Sequence, residues 1–234
     1  MTGPSGWTLS ILDGDPGALL DRPVSFEERS VTWCRARSPA LVLGSAQPAA
    51  TVDSARLASA GLPLVRRASG GGAVLVGPAE VVWVEVVLPR GDRHWVDDVS
   101  RSGLWLGRAW AVALSVVGPG ADAGAGAARA PVVHRGPMVR NELSGLICFA
   151  GVAAGEVVVG GRKAVGISQR RGRRGARFQC AALLRWDPEA MAGLLAGDDR
   201  FRTRSAGLLE TLAAPLAGVA EEALVGALVE ALPA

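Results

Sequence analysis

The sequence predicts an α+β domain, a mixed and mostly antiparallel sheet packed with helices. Three observations carry that expectation. Glu80 to Leu88 is a β-branched run long enough for a central strand. Glu156 to Gln169 reads as two strands joined by Gly160-Gly161, the pair that a two-residue primed turn favours. Strands and helices mix without the regular βαβ alternation of a parallel sheet. With 49% hydrophobic and 20% charged residues, the 234-residue chain has the apolar surface for a core, which excludes wholesale disorder. The length fits one domain over residues 1–234, with a core over about 25–195 and a helical C-terminal extension over about 187–234.

In chain order, Val24 to Thr32 reads as helix and Ala40-Leu-Val-Leu-Gly44 as a short strand followed by the turn Ser45-Ala-Gln47. Asp53 caps a short helix running to Ala60. Leu62 to Arg66 is strand-like and runs into Arg67-Ala-Ser-Gly-Gly-Gly-Ala-Val74. Trp95 to Val117 reads as one helix, with Leu104, Gly107, Ala111 and Leu114 on a stripe. Gly118 to Ala130 is of low complexity and is expected to be a mobile surface insertion. Side-chain alternation in the hairpin places Lys163, Val165, Ile167 and Gln169 on one face. Arg177 to Trp186 reads as a further strand. Asp187-Pro188 then opens Ala/Leu-rich helix, with Asp as cap and Pro at the first position, interrupted at Pro215 and Gly218.

The longest apolar runs, Glu80 to Leu88 and Trp110 to Val117, fall well short of the roughly 20 residues that cross a bilayer, and no basic-then-apolar leader opens the chain. A cytoplasmic location without membrane contact is expected. Cys34, Cys148 and Cys180 form no CxxC pair, and His94 and His134 lack ligand spacing, so neither a disulfide framework nor a metal site is expected. A formal charge of +3 does not demand nucleic acid. The cluster Arg170, Arg171, Arg173, Arg174 and Arg177 lacks the interleaved aromatics that stack on single strands. It fits docking of an acidic protein, a phosphate clamp or a solvated loop.

Of the 25 Lys and Arg residues, Lys163 is the only lysine. A GC-rich coding sequence lets surface lysines drift to arginine, but a site that needs a compact ammonium rejects the planar guanidinium. Survival of one lysine by chance is the alternative. Arg66-Arg-Ala-Ser-Gly-Gly-Gly72 sets two guanidinium groups beside three glycines, chemistry suited to a carboxylate or phosphate, though it also fits a glycine-rich turn with surface arginines. It is neither a P-loop nor a GxGxxG fingerprint. Cys148 lies in Leu146-Ile-Cys-Phe-Ala150, just before the hairpin. Taken alone, such a thiol packs as a small hydrophobe; an ammonium beside it favours the nucleophilic thiolate. Cys34 and Cys180 read as packing residues.

Taken in order, these segments resemble the lipoate-protein ligase and octanoyltransferase family, whose superfamily includes the biotin-protein ligase catalytic domains. The resemblance covers roughly residues 25 to 195. It rests on Gly44-Ser-Ala-Gln47, on Val65-Arg-Arg-Ala-Ser-Gly-Gly-Gly-Ala-Val74, and on Cys148-Phe-Ala through Glu156 to Gly161-Arg-Lys-Ala-Val-Gly-Ile-Ser-Gln-Arg-Arg171. It implies a biotin/lipoate ligase-like domain that transfers an octanoyl or lipoyl group to a specific lysine of a lipoyl domain, in 2-oxoacid dehydrogenases or the glycine cleavage protein. It also implies that Lys163 acts at the acyl carbonyl or phosphate. Gly44, Gln47, Arg66, Arg67, Ser69, Gly70, Gly71, Gly72 and Gly166 would bind substrate.

The family has two routes. Transferases take octanoate from acyl carrier protein and hold it as a thioester on a Cys, with no further cofactor. Cys148, followed by Phe149 and eight residues on by Glu156, matches one group of them and makes this route the leading choice. Ligases use ATP and Mg to form an acyl-adenylate; that is the alternative, and the short chain beyond the catalytic region then implies an accessory protein. The sequence departs from the family pattern at two places. Leu75-Val76-Gly77 and then Glu80 stand where Tyr-His-Asp and an Asn-rich stretch are usual, and Gln179-Cys180-Ala181 stands where His-Gly is usual. The changes at Val76, Glu80 and Cys180 leave a third reading, a non-catalytic homologue that binds acyl groups or a carrier protein.

Overall fold

The computed structural model describes residues 6–118 and 130–234. A seven-stranded sheet runs in the order β1 (Thr8–Gly14), β2 (Ser30–Ala36), β6 (Val81–Pro89), β10 (Gly175–Leu183), β9 (Arg162–Arg171), β8 (Val157–Val159) and β7 (Pro131–Val133). Its neighbours are antiparallel except β1 with β2. A three-stranded sheet, β4 (Leu64–Arg66), β3 (Ala40–Leu43) and β5 (Val74–Val76), lies against one face. The helices are α1 (Pro16–Asp21), α2 (Ser54–Ser59), α3 (Leu104–Val117), α4 (Pro188–Gly193), α5 (Asp199–Leu209) and α6 (Glu221–Ala231). The fold is α+β with a mostly antiparallel sheet, as the sequence indicates.

β6 shows why the layers form. Val82, Val84, Val86 and Leu88 pack with Leu106 and Trp110 of α3 and Leu224 of α6, while Val81 and Trp83 pack with Val42, Val74 and Val76 of the small sheet. Both faces are covered, so the strand reads as an unbroken apolar run rather than an alternating one. Each such side chain contributes roughly 1.5–3 kcal/mol by leaving water. Gly107 lets α3 descend onto the backbone of Gly155, since a Cβ there would stand 2.0 Å from the Gly155 carbonyl oxygen.

Several local expectations change. Val24 to Thr32 is not helical; residues 30–36 form β2, because pairing on both sides, with β1 and with β6, buries Val31 and Trp33. The helix expected from Trp95 begins only at Leu104. Before it, the carboxylates of Asp92 and Asp98 accept from the backbone N–H of His94 and Ser100, local bonds that compete with a helical ladder. On α3 the buried residues are Leu106, Gly107, Ala109, Trp110, Ala113 and Leu114, so Leu104 sits off the core stripe and Ala111 at its half-buried edge. The insertion read over 118–130 lies, for residues 119–129, outside the described residues. The C-terminal helix breaks at Pro215 and Gly218 as expected, and again at Gly197 (φ 144°), where Asp198 caps α5. β1 and α1 carried no signal of their own.

The hairpin turn forms with Gly160 and Gly161 at φ 58° and 77°. Its alternation does not hold. Val157 pairs with Val165 but Val158 pairs with Lys163, which leaves Ala164 as an extra residue, a β-bulge. Ala164 and Val165 both enter the core beneath α3, and Lys163 turns to the opposite face, where its Cε lies 3.2 Å from the position of a Cβ on Gly166. Among the described residues no helix is long and apolar enough to cross a membrane.

Candidate active site

Three backbone segments are laid directly against one another at the end of the small sheet. A Cβ on Gly44 would stand 1.9 Å from the Gly71 carbonyl oxygen, and one on Gly72 would stand 2.5 Å from the Ile147 nitrogen. The glycines are therefore needed for chain-to-chain approach, and Gly71 also adopts φ 102°. Ala73 N–H donates to the Leu146 carbonyl and Cys148 N–H to the Ala73 carbonyl, each at 2.8 Å, which fixes the short 3-10 turn Cys148–Ala150 beside β5. Gly70 has open space around its Cα.

The two arginines serve this scaffold. Arg66 donates to the carbonyls of Gly44 (2.7 Å) and Gln47 (2.6 Å), and buried Arg67 to those of Gly70 (2.7 Å) and Gly72 (2.9 Å). Burial holds the Arg67 guanidinium below its ordinary pKa. Gln47 closes the loop by donating to the Leu146 carbonyl, while its Oε1 is buried without a partner. The guanidinium groups are thus engaged with backbone carbonyls, and of the two only Arg67 lines the narrow hollow between the two sheets beside Cys148.

Beside this scaffold, Lys163 Nζ makes an ion pair with Glu156 Oε1 at 2.7 Å and donates to the carbonyls of Cys148 (2.7 Å) and Gly151 (3.1 Å). Cys148 Sγ stands 3.9 Å from the same nitrogen. Lys163 is 2% exposed and Glu156 5%. Burial pulls the ammonium pKa down, but the Cys148 and Glu156 charges outweigh it and the net direction is up. The carboxylate is itself fixed by the N–H groups of Ala153 and Ile167. Gly166 completes the arrangement: a Cβ there would meet Cys148 Sγ at 3.4 Å and Lys163 Nζ at 3.5 Å.

A narrow chamber opens from Cys148 and Gly166 between the two sheets, lined by Val42, Val74 and Val76 of the small sheet and by Trp83, Ser168 and Gln179 of the large one. Ser69 Oγ hydrogen-bonds Ser168 Oγ (2.9 Å) and donates to Gln179 Oε1 (2.8 Å); Gln179 donates to Glu85 (2.8 Å). Glu85, 1% exposed, is held by Arg177 at 2.7 Å and by Arg22. Arg177 is therefore a structural clamp and not part of the surface cluster read from sequence, where Arg171 stacks on Trp95 and Arg174 on Phe26.

Of the residues singled out by sequence, Cys148, Gly166 and Arg67 line one chamber, Lys163 and Ser69 stand behind its wall in contact with Cys148 and with Ser168 and Gln179, and Gly44, Gln47, Arg66, Gly70, Gly71 and Gly72 form its supporting loops. Cys34 and Cys180 are buried, which pushes both thiols up to about 12. Sequence reasoning missed the pairing of Glu156 with Lys163, and Ser168, Gln179 and Trp83 as wall residues; an acidic residue inside an apolar run was the one signal on offer. Val76 lines the chamber, and Glu80 pairs with Arg185 (2.9 Å), its carboxyl pKa raised by burial.

A family model described as the lipoyl protein ligase A/B catalytic domain matches residues 18–224. The chain belongs to that family. No curated protein matches it in sequence. Solved structures share its fold as a lipoyl ligase-type domain. A bipartite lipoate protein ligase of Thermoplasma acidophilum, studied with its E2 lipoyl domain, superposes with a TM-score of 0.69 at 18% identity, over 96% of this chain and 81% of that one. A lipoate-protein ligase A bound with ATP gives 0.65 at 17%, over 99% and 84%. Plasmodium falciparum LipL1 in complex with lipoate gives 0.60 at 13%, over 97% and 61%.

Proposed function

We propose that this member of the lipoyl protein ligase A/B family transfers an octanoyl or lipoyl group through a thioester on Cys148 to a lysine of a lipoyl domain, of a 2-oxoacid dehydrogenase or the glycine cleavage protein. The observation that carries this reading is the 3.9 Å approach of Cys148 Sγ to the buried Lys163 ammonium, at the head of an apolar chamber. In the first half-reaction the Cys148 thiolate attacks the carbonyl of an acyl thioester, with acyl carrier protein as donor, and the carrier leaves as its thiolate. In the second, the neutral amine of the acceptor lysine attacks the Cys148 thioester; the amide forms, the C–S bond breaks, and the amine proton returns to the departing thiolate. Lys163 faces the negative charge that develops in both steps.

The similar ligase bound with ATP supports a second reading, an ATP-dependent acyl-adenylate route. In this chain Val76 is an apolar wall residue and Glu80 a carboxylate paired with Arg185, and neither offers a donor to a triphosphate. That favours the thioester route. The test is transfer to an apo-lipoyl domain by wild type and Cys148→Ala, with octanoyl carrier protein in one arm and octanoate or lipoate plus ATP in the other. Transfer from the carrier that needs Cys148 supports the reading. Pyrophosphate release indifferent to Cys148→Ala contradicts it.

A further inference from the structure

Beyond Val165, β9 has no strand on its outer side, because β8 pairs with it only as far as that residue. Side chains alternate between the two faces of this open edge. Gly166 and Ser168 face the chamber, whereas Ile167 and Gln169 face a groove of about 640 Å³ beside the first turn of α3. Groove and site share a wall. Ala153 and Ile167 line the groove, and their N–H groups are the two that hold the Glu156 carboxylate on Lys163.

The groove combines apolar surface with unpaired positive charge. Leu104 and Ile167 form its floor, and Val99 and Met138 stand at its rim, 58% and 40% exposed. Arg101, Arg108 and Arg135 also line it and are exposed. Among the described residues no carboxylate lines the groove and none of these three arginines forms an ion pair. Asp98, which precedes them in the chain, accepts from Ser100 and lies outside the lining. Three unpaired cations around an apolar floor suit a protein face that sets carboxylates around apolar side chains. The arginine cluster after the hairpin suits it less, since Arg171 and Arg174 lie over Trp95 and Phe26.

We infer that this groove docks the acidic carrier protein that donates the acyl group. The face of the sheet decides between donor and acceptor. An acceptor lysine has only four methylenes, so its protein has to present it on the Cys148 side. A donor that carries its thioester on a long flexible arm can sit on the α3 side and reach the sulfur round the open edge of β9. The inference rests on the acyl-transfer reading above and adds to it the place where the donor binds.

The test is the triple charge reversal Arg101→Glu, Arg108→Glu, Arg135→Glu, with Met138→Glu as a single variant in case the triple one does not fold. Calorimetric titration with octanoyl carrier protein reads docking. Intact mass after incubation with octanoyl-pantetheine, the arm without the protein, reads the chemistry at Cys148 separately. Wild type should bind the carrier, and more weakly as salt rises. The triple variant should lose at least about tenfold in carrier affinity and Met138→Glu at least about threefold, while octanoyl-pantetheine acylates Cys148 in both as in wild type. Unchanged carrier affinity in the variants, or no carrier binding by wild type, overturns the docking site. Lost affinity for apo-lipoyl domain in place of the carrier overturns the assignment to the donor. Carrier binding that needs the arginines, with no acyl group on Cys148 from either thioester, upholds the groove and sinks the thioester reading.

Discussion

The Lys163 ammonium stands 2.7 Å from the Glu156 carboxylate and 3.9 Å from the Cys148 sulfur, inside a pocket that leaves it 2% exposed. Its hydrogen bonds go to Glu156 and to the carbonyls of Cys148 and Gly151, so the charge that faces the sulfur also ties down the turn that presents it. A guanidinium is wider and planar and does not reproduce that tripod. Lys163→Arg should lower transfer at least ~100-fold, as for removal of a positioned electrostatic group, while far-UV circular dichroism stays native. Turnover close to wild type would refute the assignment.

Glu156→Gln leaves the ammonium buried without its counter-charge. Breaking a buried pair by removing one partner costs about 3–5 kcal/mol, and in a chain of this size each kcal/mol moves Tm by about 2–4 °C, so a fall on the order of 10 °C is expected by thermal scanning. The pH dependence follows from the raised pKa of Lys163. Its stabilising contribution is complete below the ordinary value of 10.5 and is lost as pH rises through the higher folded value. The Lys163 contribution should therefore be lost only in strongly alkaline solution, and the slope of stability there should flatten in Lys163→Met.

Two glycines should fail in different ways. Gly72→Ala puts a methyl 2.5 Å from the Ile147 backbone nitrogen, which forces the Cys148 turn away from β5 and lowers Tm. Gly166→Ala meets side-chain atoms at 3.2–3.5 Å, which can shift, so Tm should change little while transfer falls because the methyl crowds Cys148 and Lys163. Equal loss of stability in both variants would mean that Gly166 serves packing and not the site.

Thiol chemistry separates the three cysteines. Cys148 is partly exposed, whereas Cys34 and Cys180 are 2% and 1% exposed with pKa values pushed up to about 12 by burial. Iodoacetamide at neutral pH should alkylate Cys148 first by a wide margin, as mapped by peptide mass. Labelling of Cys180 at a similar rate would show that the sheet opens around it.

The parts of the fold that local chemistry dictates were legible: the Gly160-Gly161 turn, the Asp53 and Asp187 caps, and β6, whose composition reports burial on both faces. The parts set by distant partners were not. β2 exists because β1 and β6 pair with it, and α3 starts late because Asp92 and Asp98 capture backbone groups first. In the site, residue types pointed to Lys163, Cys148 and the Arg66–Gly72 segment, but not to their geometry. A one-residue bulge at Ala164 turns Lys163 to the face opposite the one that strict alternation assigns, and Gly72 accommodates the Ile147 backbone where open space for a ligand was expected. Neither effect leaves a mark in a single sequence, since a bulge conserves residue types and shifts only register.

The central claim is the covalent one, and intact-mass spectrometry of the protein mixed with octanoyl carrier protein tests it most directly. The account predicts an added octanoyl mass, removed by hydroxylamine, localised to Cys148, absent in Cys148→Ala and discharged when apo-lipoyl domain is added. An unmodified protein that nonetheless octanoylates the lipoyl domain would contradict it.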